Sequence, residues 1–105
     1  MVGEALKGHL DLLLLAVLAE SPAHGYAVID NLRRRSGGAF DLPEGTIYPA
    51  LHRLEKDGLL VSTWSEEAPR RRRVYRITLK GEQTLARRQQ EWRRFAEAVE
   101  ATIGF

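Results

Sequence analysis

Apolar residues recur at helical spacing in four stretches of this chain and alternate with polar ones in a fifth. Between residues 5 and 20, Leu6, Leu10, Leu13, Leu14, Val17 and Leu18 fall at helical intervals, and Leu12 and Leu15 make the middle apolar nearly all round. Such a helix must be covered on several sides. Ser21 and Pro22 end it and start a second, in which Tyr26, Ile29 and Leu32 form a narrower stripe. Gly25 there permits close approach of a neighbouring backbone, and Gly37 and Gly38 close the element. The third helix, over residues 43 to 57, has two unlike faces. Ile47, Leu51 and Leu54 are apolar, while Thr46, Tyr48, Pro49, His52, Arg53 and Lys56 are offered to a partner. It starts either with Thr46 as cap or at Pro43, so Pro49 sits near the start in both cases. Gly58 supplies the left-handed residue that ends it.

Two extended segments follow, residues 60 to 65 and 74 to 78. The second alternates, with Val74, Arg76 and Thr78 on one face and Tyr75, Ile77 and Leu79 on the other, which predicts an antiparallel hairpin with one wet face. From Gly81 to Ile103 the helical period returns in Leu85, Trp92, Phe95, Val99 and Ile103. That helix is on the order of 33 Å long, and a lone domain has little to lay along its apolar stripe. The expectation is a symmetric dimer in which Leu6, Leu10, Leu13, Leu85, Trp92, Phe95, Val99 and Ile103 make the contact. The division is then residues 1–80 as one domain and residues 81–105 as a dimerisation helix.

A chain of 105 residues is one small core. Cysteine is absent, which excludes disulfides, thiolate metal sites and cysteine nucleophiles and allows a reducing cytoplasm, the expected location. The apolar run from Leu12 to Ala19 is far short of the roughly 20 residues that span a bilayer, so no membrane association is expected. Histidines 9, 24 and 52 lack metal-ligand spacing, the serines lack a base, and no glycine-rich phosphate loop follows a strand. Neither an enzyme nor a cofactor is expected. Net charge is only +2, but five of the seven residues from Arg70 to Arg76 are arginine, so positive charge concentrates at one hairpin. Arginine outnumbers lysine 13 to 3, which suits bidentate contact with phosphates or base edges.

Three helices and then a hairpin with a basic tip is the order of a winged helix-turn-helix, a mainly α (α+β) fold with a two-stranded β wing. An amphipathic helix fits the major groove of double-stranded DNA while a cationic loop reaches nearby phosphates. Arg70, Arg71, Arg72 and Arg73 would supply salt-sensitive affinity with little sequence information, and His52 would read a base edge or be merely solvated. Arg33, Arg34 and Arg35 read as a charged helix end, and Trp64 as packing.

Three motifs carry a family resemblance: HGYAVIDNL (residues 24–32), GTIYPALHRLEKDGLL (45–60) and RRVYRITLKG (72–81). Through them the chain resembles the PadR-like transcriptional regulators, in particular short members with a single C-terminal helix. The resemblance implies a homodimer that binds an inverted-repeat operator, usually as a repressor. Thr46, Tyr48, Pro49 and Arg53 match the family's DNA-facing positions, and Arg72, Arg73 and Tyr75 its basic wing strand. Val74 departs from the second aromatic of many members, and Ala68 and Pro69 stand where wing glycines are usual. Some members line a pore between subunits with an aromatic of the C-terminal helix, which implies Trp92 as a site for a small aromatic effector; the other reading of a tryptophan on such a stripe is plain interface core. The competing reading is a protein–protein interaction module on the same fold, without specific DNA binding, whose basic wing docks an acidic partner.

Overall fold

The computed structural model describes Leu6, residues 8–66 and residues 71–104. The elements run α1 (Leu10–Glu20), β1 (Ala23–His24), α2 (Gly25–Arg35), α3 (Glu44–Lys56), β2 (Leu60–Ser65), β3 (Arg72–Ile77) and α4 (Leu79–Ile103). The architecture is mainly helical with a small antiparallel sheet, a winged helix-turn-helix with a long C-terminal helix.

Leu14, Leu15, Val17 and Leu18 of α1 are buried, and its other leucines are partly covered, as its all-round apolarity requires. It is shorter than its pattern: Gly8 takes φ +88°, outside the helical region, and α1 starts only after it. In α2 the buried positions are Gly25, Val28 and Leu32. Tyr26, expected on the inner stripe, is exposed, and its hydroxyl donates to Glu44 Oε2 at 2.9 Å. The core is completed by Ile47, Ala50, Leu51 and Leu54 of α3, by Leu60 and Tyr75 of the sheet, and by Leu85 of α4.

The α3 helix begins at Glu44 with Pro43 as N-cap, so Thr46 lies inside it and Pro49 is an interior proline. Its ring meets the carbonyl of Gly45, four residues back, where no side chain adds to the crowding. At the other end Gly58 takes φ +80°, Leu59 N–H donates to Leu54 O at 2.9 Å and Gly58 N–H to Glu55 O at 3.0 Å. These are the two bonds of a Schellman stop, and they turn the chain into β2.

The wing is a hairpin with Leu60 opposite Ile77 and Ser65 opposite Arg72. The sheet has three strands, not the two expected: β1 adds to the far edge of β3, pairing Ala23 with Tyr75 and His24 with Val74, in the order β1-β3-β2. Thr78, expected to end the strand, is the N-cap of α4 instead, its hydroxyl accepting from Gly81 N–H at 3.0 Å. The radius of gyration is 14.8 Å, against about 13 Å for a compact chain of this length. The long axis of 51 Å reflects α4, which at about 37 Å outruns the body it starts in. Among the described residues no helix is long and apolar enough to cross a membrane.

Candidate nucleic-acid interface

Because Ile47, Ala50, Leu51 and Leu54 hold α3 to the core, the opposite side of that helix is left outward. Thr46, Pro49, His52 and Arg53 are exposed there and Tyr48 is half-buried. Arg53 does not hang free: its guanidinium donates to the Asp11 carboxylate of α1. The Tyr48 ring lies over Gly25, where an added Cβ would come within 2.4 Å of it. The close approach expected at Gly25 is therefore by a side chain, not a backbone. Burial pushes the Tyr48 phenol pKa up, Glu44 adds to this and Arg72 opposes it.

The wing arginines sit beside this helix. Arg71 and Arg73 place their guanidinium carbons over the Trp64 ring, 4.6 and 5.0 Å from its centre. Arg73 Nε also donates to Ser62 Oγ at 2.8 Å, and that hydroxyl donates to Glu55 Oε2 at 2.6 Å. Arg72 lies 2.9 Å from His24 Nε2, while Ala27 N–H donates to His24 Nδ1 at 3.3 Å and so caps α2. Both neighbours of the ring are donors, and burial together with the Arg72 charge holds the His24 pKa below its ordinary value. These groups border an open cleft of about 340 Å³, lined by His24, Tyr48, His52, Trp64, Tyr75 and Arg71 to Arg73, among others.

Two expectations for the wing are corrected. Tyr75 was expected at the DNA face but is 1% exposed and belongs to the core, its phenol pKa raised chiefly by burial. Trp64, read as packing, is 52% exposed and covered by arginines. Arg70, with Ala68 and Pro69, lies outside the described residues. Arg33 and Arg34 both pair with Asp30, and Arg35 with Glu20, in keeping with a charged helix end. Trp64, His24 and Asp11 were not singled out as site residues. The structure sets Trp64 opposite Arg73 across the hairpin, a register that the strand bounds read from the sequence, 60 to 65 and 74 to 78, do not contain.

A second feature lies between α1 and α4. A groove of about 850 Å³ is lined by His9, Leu12, Leu13, Phe40, Gln89 and Trp92, among others. The Trp92 ring meets His9 edge-on at 5.1 Å and Phe95 at 5.9 Å. Trp92, Phe95, Val99 and Ile103 are exposed, a stripe the chain leaves uncovered. Leu6 and Leu85, expected in a dimer contact, are buried in the core of the chain itself, and Leu10 and Leu13 are half-buried. Among the described residues no group of three or more His, Asp or Glu side chains is placed to hold a metal ion.

The sequence profile of the transcriptional regulator PadR-like family matches residues 14–87. A transcriptional regulator of Mycobacterium tuberculosis is 39% identical over 82 residues, covering 78% of this chain and 74% of that protein. Among solved structures, a transcriptional regulator from Clostridium thermocellum superposes with a TM-score of 0.87 at 30% identity, covering 94% of this chain and 97% of that one. A PadR family transcriptional regulator from Eggerthella lenta does so with a TM-score of 0.86 at 33% identity, covering 99% and 89%.

Proposed function

Since the chain belongs to the PadR-like family of DNA-binding transcriptional regulators, we propose that it is a cytoplasmic homodimer that represses transcription from an inverted-repeat operator. In this reading residues 1–80 hold the duplex and residues 81–105 hold the partner subunit. The observation that carries it is the state of the wing arginines. Arg71, Arg72 and Arg73 each rest against an aromatic, imidazole or hydroxyl group, and among the described residues none pairs with a carboxylate. Cations that are oriented and, among the described residues, not paired with a carboxylate suit a phosphate backbone beside the outward face of α3. Thr46, Tyr48, Pro49, His52 and Arg53 then meet the major groove, with Arg53 exchanging Asp11 for a base edge or phosphate.

The test is a mobility-shift titration at several salt concentrations. Exchanging Arg72 and Arg73 for alanine weakens binding to every duplex and lowers the salt slope of the dimer by about four, two contacts from each subunit, whereas changing Thr46 or Arg53 alters the preferred sequence. Unchanged affinity in both sets overturns the assignment. The apolar lining of the α1–α4 groove, with Trp92 exposed in it, supports the effector reading, in which a planar aromatic compound binds there and releases the operator. Such compounds quench tryptophan emission in the native protein and lose that effect in Trp92→Ala.

A further inference from the structure

A tryptophan on the outer part of a hairpin, half in water, is costly unless something covers it, and here the cover is two guanidinium groups. The arrangement follows from the pleat. Ser62 and Trp64 share one face of β2, and their partners across the ladder, Tyr75 and Arg73, share the matching face of β3. At Tyr75 that face is still under the body of the protein. One pair further out it has left the body, and Trp64 and Arg73 stand beyond the core on the side that carries the α3 cleft.

The stack has a chemical consequence. A guanidinium held near an indole by the ring's quadrupole spends no N–H donor on that contact, so apart from the Arg73 Nε–H that Ser62 accepts, its donors remain available to an anion. A free arginine samples many rotamers and loses that freedom on contact. Arg71 and Arg73 are already confined by the ring, and Arg73 is further held by Ser62, which Glu55 of α3 in turn accepts from. The chain of contacts therefore runs from α3 through the sheet to the guanidinium groups.

Resting on the DNA-binding reading above, we infer that Trp64 is a positioning residue: its ring sets Arg71 and Arg73 so that the cleft it walls seats a backbone phosphate of the duplex. Trp64 itself need not touch DNA. It acts by removing the arginines' freedom before binding, and it does so on any sequence, since phosphates are the same everywhere.

The experiment uses the full chain and a fluorescently labelled, mixed-sequence duplex of about 30 base pairs, long enough for one dimer. Trp64→Leu, which keeps bulk but removes the ring, is expected to weaken binding by about five- to tenfold, and Trp64→Phe, which keeps a π face, by no more than about twofold. In a protein already carrying Arg71→Ala and Arg73→Ala, Trp64→Leu is expected to change nothing further. Circular dichroism confirms that each variant keeps its helix content. If Trp64→Leu costs as much without the arginines as with them, or is silent in the native background, or if Phe fails to rescue, the inference is overturned while the wing's role stands. Native affinity in the double arginine variant instead overturns the reading on which it rests.

Discussion

Gly25 and His24, neighbours at the start of α2, show how closely single residues are drawn into the interface. Any side chain at position 25 must push the Tyr48 ring, because its Cβ would lie 2.4 Å from ring atoms. Those atoms are the far end of a mobile side chain, so the damage falls on placement more than on folding. Gly25→Ala is expected to lower stability by only about 1 kcal/mol, the low end for overpacking, and, on the proposed reading that Tyr48 meets DNA, to weaken DNA binding as Tyr48→Ala is expected to. Retained native affinity in Gly25→Ala would show that the ring's position is unimportant. His24 makes a pH prediction. With its folded pKa held below the ordinary 6.5 by burial first and Arg72 second, the unfolded chain takes up the proton at higher pH than the folded one. The stability that neutral His24 contributes is therefore complete above about pH 6.5 and is lost as pH falls through the depressed value. Urea titrations across that window should show native stability falling faster with acid than that of His24→Asn, which keeps a capping acceptor but does not titrate. Parallel curves would contradict this.

Between elements, the joint of greatest consequence ties the end of α3 to the start of α4. Lys80 Nζ donates to Asp57 O at 2.9 Å, Thr78 Oγ1 to Gly58 O at 2.7 Å and Thr78 N–H to Leu59 O at 3.1 Å. Thr78 also caps α4. Thr78→Ala is expected to cost about 1–2 kcal/mol by denaturant unfolding, and Thr78→Ser only a few tenths. Equal stability of all three proteins would show that the joint carries no weight. The helices and the hairpin were legible because each repeats its apolar period several times. A two-residue strand such as β1 leaves no period to read, and the break at Gly8 is hidden because Leu6 and Leu10 on either side of it keep helical spacing. The two wing errors have different sources. Alternation already groups Tyr75 with Ile77, and only the family resemblance moves it to the DNA face; for Trp64, the pattern does not say where along β3 the body ends. That edge falls between Tyr75 and Arg73, so the tyrosine became core and Trp64, opposite Arg73, became surface.

At the scale of the whole molecule, one end presents arginines and the polar side of α3, and α4 extends away with Trp92, Phe95, Val99 and Ile103 in water. In the proposed dimer a second copy covers that stripe and fixes the distance between two copies of α3. Phe95→Glu, at a position 57% exposed in one subunit, should leave the fold intact, give monomers in sedimentation, and lower operator affinity by about a hundredfold as bivalency is lost. A dimeric Phe95→Glu protein would move the interface elsewhere. The account's central claim is that two α3 helices related by a twofold axis read DNA together, and selection of bound fragments from a pool of random duplexes tests it most directly. The expected result is an inverted repeat whose half-site centres lie about 34 Å, or a multiple of that, apart. Recovery of fragments with no shared sequence, or of a single site without a repeat, would contradict it.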